Sequence, residues 1–296
     1  MDEHRNDWPF LPDLQRLRQA FERAALHDED AGFLLREIGG RLLERLDLLT
    51  LKPQMILDVG CGTGMITAQL MRKYRKARVF GLERAPAMLT RACWRAPWLR
   101  TLHGLCAEPE AIPLADARFD LIFSNLALPW TVDLDRTLAE FRRLLKPGGA
   151  LLFSTLGPDT LLELRRSWAA ADDRCNHVNA FLDLHDIGDA LLRAGLAEPV
   201  VDVERLTLTY ATVERLADDL GRLGVRNVTQ GRPISLTGKE RWRAVREAYE
   251  HYRRPDGLLP VSCEVVYGHA WGRLPHQGRD HPVEPAVFPL SRLRQR

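Results

Sequence analysis

The segment Leu57-Asp58-Val59-Gly60-Cys61-Gly62-Thr63-Gly64 constrains the fold more than any other part of this chain. Met55, Ile56, Leu57 and Val59 form a short apolar run that begins after Pro53 and ends at three alternating glycines. Such a run predicts a buried central strand of a parallel sheet. Gly60, Gly62 and Gly64 remove side chains where the backbone must turn sharply and where a ligand must come close. Met65, Ile66, Gln69, Leu70 and Lys73 then read as a helix. A ligand can therefore rest on the loop and on the first helical turn.

The spacing selects among ligands. A dinucleotide fingerprint needs a third small residue at its sixth position, where helix and strand pack closely. Met65 stands there. The pattern G-x-G-x-G with Asp58 two residues ahead resembles instead the donor loop of S-adenosylmethionine methyltransferases. Three downstream features fit the same plan. Arg78-Val79-Phe80-Gly81-Leu82 reads as a second strand ending at Glu83, and Pro86 opens a helix after it. A carboxylate about 20 residues past the glycine loop, at a strand end, is placed to accept two ribose hydroxyls. Cys106-Ala107-Glu108 follows a third short run, where that plan sets Ala107 and Glu108 beside the adenine. Phe119 to Trp130 forms a further apolar strand and loop, then come a helix from Asp135 to Leu145, the turn Lys146-Pro147-Gly148-Gly149 and a strand from Ala150 to Phe153. The cofactor set expected is thus Asp58, Gly60, Cys61, Gly62, Gly64, Glu83, Arg84, Met88, Ala107, Glu108, Asn125 and Leu126.

Alternating strands and helices predict a parallel sheet with helices on both faces, and the resemblance to methyltransferases implies its α/β, Rossmann-like class I form, a mostly parallel seven-stranded sheet. Residues 1–50 are expected to form an N-terminal helical cap, from helices near Pro12 to Leu26 and over Leu34 to Leu49. Residues 51–155 would hold the donor-binding core, and 156–272 the rest of the core with a helical roof. Helices over Leu161 to Ala171 and Ile187 to Ala194 precede a strand ending in Leu206-Thr207-Leu208-Thr209-Tyr210. A last strand runs from Cys263 to Trp271. Helical segments between these strands (Val213 to Leu223, Lys239 to Arg253) imply an insertion over about 211–260. Residues 273–296, rich in Pro, Arg and His, read as a mobile tail.

Composition excludes several classes. A chain of 296 residues with 45% hydrophobic and 28% charged residues reads as an ordinary globular protein. A net charge of +2 implies no bulk attraction to nucleic acid. Five scattered cysteines without a C-x-x-C pair read as reduced thiols, consistent with a cytoplasmic location, and no apolar stretch is long enough to span a membrane. His177, Asp183, His185 and Asp186 match no standard metal spacing, so no metal is expected; Asp183 or Asp186 reads as a helix cap.

Outside the donor loop, the segments Phe21 to Ala25, Ser124 to Trp130, Gly157 to Arg165, His177 to Asp189, Leu206 to Tyr210 and Glu264 to Trp271 together resemble one family, the malonyl-acyl-carrier-protein O-methyltransferases of biotin synthesis. Two departures stand out: Leu26 to Asp30 lacks the Tyr usual in the family, and Pro129 replaces a residue that is usually polar. The resemblance implies methyl transfer from S-adenosylmethionine to the free carboxylate of a malonyl thioester, leaving S-adenosylhomocysteine. A protein-arginine hydroxylase and assembly factor on the same fold is the alternative enzyme, and a non-catalytic binding protein the alternative class.

A malonyl carboxylate, with a pKa of about 4, is already ionised at neutral pH, so no general base is needed. Something must orient it. Arg165, His185, Tyr210, Tyr267 and His269 lie in the distinctive segments and are the candidates. Between Arg215 and Arg254 stand ten basic and five acidic residues. A local charge of +5 in a chain of +2 predicts a docking surface for an acidic acyl carrier protein, through Arg222, Arg226, Arg232, Arg241, Arg243 and Arg246.

Overall fold

In the computed structural model, residues 11–26, 32–230, 232–233 and 237–274 are described. The expected tail falls outside them from residue 275 on, as do residues 27–30 of the Leu26 to Asp30 segment. Helices α1 (Leu14–Ala24) and α2 (Phe33–Arg45) precede β1 (Met55–Val59). The chain continues through α3 (Met65–Lys73), β2 (Arg78–Glu83), α4 (Pro86–Arg95), β3 (Leu102–Cys106), β4 (Phe119–Asn125), α5 (Leu134–Leu144), β5 (Leu145–Leu156) and α6 (Leu162–Ala171). It ends with α7 (Leu184–Arg193), β6 (Ala197–Tyr210), α8 (Val213–Arg222), α9 (Lys239–Glu250) and β7 (Leu259–Trp271).

The strands form one sheet in the order β3-β2-β1-β4-β5-β7-β6. The first five run parallel, and β7 lies antiparallel between β5 and β6. The chain leaves β1 toward one edge and returns at β4 toward the other. The space beyond the carboxyl ends of β1 and β4 is therefore the switch point at which such sheets hold ligands. Burial explains the continuous apolar strands. Ile56, Val79, Leu121 and Leu152 pack with Ile38 and Leu42 of α2 on one face, while Leu57, Ile122, Leu151 and Val266 pack with Phe141 of α5 and Leu191 of α7 on the other.

Helix starts follow side-chain chemistry. Asp13, Asp133, Asp183 and Thr212 each accept from a backbone N–H of the first turn of α1, α5, α7 and α8. Asp183, not Asp186, is the cap of α7.

Two of the boundaries that differ from the sequence expectation bear on the sheet. The Lys146-Pro147-Gly148-Gly149 turn is absorbed into β5, because Leu145 already pairs with Phe119 and the register then shifts before Leu121 meets Ala150. Gly148 takes up the irregularity at φ 73°. Strand β7 also starts four residues before Cys263, at Leu259, paired with Tyr210. The extended β6–β7 hairpin carries α8 and α9 and builds a second small core, in which Leu164, Val213, Leu216, Tyr249 and Val261 are buried together.

Candidate active site

The loop after β1 folds back on the end of β2: the N–H groups of Gly60 and Cys61 both donate to the Leu82 carbonyl, at 2.8 and 3.0 Å. The glycines serve different ends. A Cβ on Gly64, at φ 80°, would lie 2.6 Å from Ala92 Cα, so this glycine lets α3 pack against α4. A Cβ on Gly60 would overlap that of Ala127. Gly62, at φ 53°, has nothing within 4 Å of its missing Cβ and faces open space. That space is a crevice at the switch point, floored by Val59, Gly60, Gly62, Leu82 and Glu83.

Glu83 is built into this floor. It is 5% exposed. Its two oxygens accept from Gly62 N–H and Ala85 N–H, each at 3.0 Å. A carboxylate offers about four lone-pair sites, so two remain for further donors. Burial raises the Glu83 carboxyl above its ordinary value, and the Ala85 and Gly62 amides pull it back. Beneath the loop, Asp58 accepts from the Thr67 hydroxyl at 2.6 Å. Burial pushes the Asp58 carboxyl up to about 7, opposed by the Thr67 bond and aided by the charge of Glu83. Cys61 is buried and its thiol is held well above the ordinary value by the same cause, which makes it a protonated packing residue.

Of the remaining cofactor candidates, Arg84, Met88, Asn125 and Leu126 line the crevice. Asn125 is fixed from two sides, donating to the Leu35 carbonyl at 3.1 Å and accepting from Ser154 Oγ at 2.8 Å. Leu126 holds φ 56°, a conformation that costs a branched residue free energy and that recurs at ligand sites. Ala107 and Glu108 lie behind the wall. The Glu108 carboxylate meets the Arg84 guanidinium at 3.3 Å, and the next residue, Pro109, reaches the crevice.

The rest of the wall comes from elements that the motif reading did not include. Phe21 and Ala24 of α1 close one side. Phe21 meets Trp130 edge to face, with ring centroids 5.9 Å apart. Leu223 and Val225, just after α8, cover the top. Both aromatic residues lie in the segments that carried the family resemblance, which was the available signal. Arg222 stands at the mouth, and among the described residues it makes no ion pair. Arg91, also on the wall, donates to the Ala25 carbonyl.

None of the five acceptor candidates lines this crevice. The Arg165 guanidinium is spent on the carbonyls of Pro158 (2.7 Å), Thr160 (3.0 Å) and Asn179 (3.4 Å). His185 is on the surface, its ring held at 2.6 Å by Asp183. Tyr210 ends β6, where burial and Asp219 raise its hydroxyl to about 12. Tyr267 lies in the core under the Arg45 guanidinium, 4.0 Å from its ring centroid. His269 pairs with Leu152 and Val200 across the β5–β7–β6 ladder. His177, raised above as a metal candidate, stacks on Trp168 with centroids 3.9 Å apart and faces Asp172 at 3.2 Å.

The six arginines expected to form a docking surface divide. Arg241, Arg243 and Arg246 lie on α9 and pair with carboxylates: Asp172 at 3.2 Å, Glu240 at 2.7 Å and Glu214 at 2.9 Å. Arg222, Arg226 and Arg232 face α1 instead, in a second, polar cavity.

This sheet order, with a glycine loop and a strand-end carboxylate at the switch point, defines a class I methyltransferase. Residues 57–153 match a family described as a methyltransferase domain. The fold is shared with the N-methyltransferase NodS of Bradyrhizobium japonicum, solved in complex with S-adenosylhomocysteine. The TM-score is 0.52 at 17% identity, covering 87% of this chain and 98% of that one. The chain is 47% identical over 277 residues to the malonyl-[acyl-carrier protein] O-methyltransferase of Gallionella capsiferriformans, covering 92% of this chain and 95% of that protein. It is 46% identical to the enzyme of the same name from Halorhodospira halophila, covering 88% of each. The chain belongs to the malonyl-[acyl-carrier protein] O-methyltransferase family.

Proposed function

We propose that the crevice above Gly62 and Glu83 is where S-adenosylmethionine and a malonyl carboxylate meet. The chain is a methyltransferase that uses S-adenosylmethionine to esterify the free carboxylate of malonyl-acyl carrier protein, the step named in its relatives. The relatives give no support to the arginine-hydroxylase alternative. The observation that carries the site is the open Cβ position of Gly62 beside a Glu83 carboxylate whose inner lone pairs are already used. Glu83 would take the ribose hydroxyls on its two free sites. Gly60 and Gly62 would let the loop approach the methionyl part, with Asp58 beneath it, while Gly64 lets α3 pack on α4. Arg84, backed by Glu108, and Met88 would border the adenine, and Asn125 and Leu126 the methyl-bearing end.

The donor supplies an electrophilic methyl on a sulfonium, a leaving group that needs no acid. The acceptor arrives ionised. What remains for the chain is to hold the carboxylate in line and to limit water. Phe21, Trp130 and Val225 provide the apolar walls. Arg222 at the mouth is the cation placed to meet the incoming carboxylate. It takes this role in place of the five candidates above, none of which lines the crevice. Among the described residues no helix is long and apolar enough to cross a membrane, in keeping with action in the cytoplasm on an acidic carrier protein. The test is mass spectrometry of malonyl carrier protein incubated with S-adenosylmethionine. One added methyl on the malonyl group, and none on carrier protein that lacks malonyl, is expected; an unmodified malonyl group refutes the assignment.

A further inference from the structure

We propose that the carrier protein docks in the groove between α1 and residues 221–230 with Arg232, and not on α9. The inference rests on the reading that malonyl carrier protein is the acceptor, and it adds α1 to the recognition surface. Arg16 and Arg23 of α1 line the groove with Arg222, Arg226 and Arg232. The carboxylates in its lining are Asp13 and Asp218. Asp13 caps α1 with one oxygen and is shared loosely by Arg16 at 3.6 Å and Arg232 at 3.8 Å with the other. Arg23 and Arg222 have no carboxylate partner among the described residues, and Arg226 reaches only the Ala217 carbonyl, at 3.4 Å. Five guanidiniums against two carboxylates leave a local charge of +3.

Helix α9 offers no such surplus. Arg243 sits between Glu240 and Glu247, and Arg246 meets Glu214. Paired charges cancel at a distance, so the steering field comes from the groove. The groove is also held in shape. Asp13 N–H donates to the Val228 carbonyl and Gln230 N–H to the Leu11 carbonyl, both at 2.8 Å, which ties the start of α1 to the far wall. Arg222 lines both this groove and the active-site crevice. An acidic protein seated on the arginines could thus pass a thioester arm directly inward past Arg222. A flat basic patch on α9 has no comparable continuity with the crevice.

The test uses the full-length protein, fluorescently labelled malonyl carrier protein, and the malonyl thioester of N-acetylcysteamine as a carrier-free acceptor. The variant Arg23→Glu with Arg226→Glu should weaken carrier binding at least tenfold, while turnover of the small thioester changes less than twofold. The neutral pair Arg23→Gln with Arg226→Gln should give an intermediate loss, and both variants should melt like the parent. Charge reversal at Arg243 and Arg246 should change carrier binding less than twofold. Carrier bound equally well by the groove variants, or lost on reversal of the α9 pair, would overturn the proposal. Failure of the acceptor reading looks different: the parent would bind carrier through the groove yet add no methyl.

Discussion

At the scale of single residues, the three glycines of the loop separate folding from function. Gly62→Val places a side chain in open space that the donor would need, at a backbone angle that costs about 1–2 kcal/mol for a non-glycine residue. The expected result is a loss of S-adenosylmethionine affinity of at least about a hundredfold, equivalent to about 2.7 kcal/mol, with a modest fall in melting temperature. Gly64→Val drives its Cβ to within 2.6 Å of the Ala92 backbone and should cost several kcal/mol of stability, about 3 or more. Calorimetric titration with the donor and thermal melts of both variants read the two effects apart. Equal donor affinity for the Gly62 variant and the parent would remove the loop from the site. Neighbouring residues show a division of the same kind. Glu83 keeps two lone pairs free at the crevice, whereas Cys61, one residue from Gly62, is buried and protonated.

At the scale of elements, what the sequence could show depended on how local the causes were. The strand–glycine–helix unit and the strand ending at Glu83 are set by contiguous residues and were legible as spacing, and the cap of α7 was narrowed to Asp183 or Asp186, of which the fold uses Asp183. The roof was not, because its partners are far apart in the chain. Gly157 to Arg165 and Glu264 to Trp271 looked like acceptor-site segments. In the fold they largely hold each other: Glu163 accepts from Ser262 N–H and Oγ–H at 2.9 and 2.6 Å, and Glu264 accepts from Asp159 N–H at 2.9 Å. Nor could composition show that the arginines of α9 would meet Glu214, Glu240 and Asp172 while Arg222 and Arg226, near α1, meet no carboxylate among the described residues. Asn179 is the residue of most consequence that escaped notice. Its amide donates to the Val225 and Arg226 carbonyls (3.2 and 3.4 Å), and its oxygen accepts from Val228 N–H (3.1 Å) and the Thr229 hydroxyl (3.3 Å). These bonds fix the strip that forms the crevice top and one groove wall. Asn179→Ala leaves the buried Val228 N–H unsatisfied, at about 1–3 kcal/mol. Amides over 225–230 should then exchange at least about tenfold faster while those of β1 and β4 keep their protection. Unchanged exchange in that strip would show that α1 alone holds it.

At the scale of the whole molecule, folding, donor binding and protonation are linked through the carboxylates under the glycine loop. The Asp58 carboxyl is raised by burial to about 7 in the folded protein, against about 4 in an unfolded chain. The folded state therefore binds the proton more tightly than the unfolded state between those values. The stabilisation from this group is fully present below pH 4 and is lost as pH rises through 7. Glu83, also raised by burial, acts in the same direction. A donor bearing a sulfonium and an ammonium favours the ionised forms. Binding at pH 6 should then release protons, and donor affinity should rise between pH 6 and pH 8, where the free protein is becoming less stable. Asp58→Asn removes this titration: proton release should drop, and the pH dependence of affinity should flatten near 7. Titration calorimetry at pH 6 in two buffers of different ionisation enthalpy measures the proton count directly. Identical heats in both buffers would mean that Asp58 does not feel the donor's charge. The crevice would then lose its electrostatic half, keeping only the shape provided by Gly62.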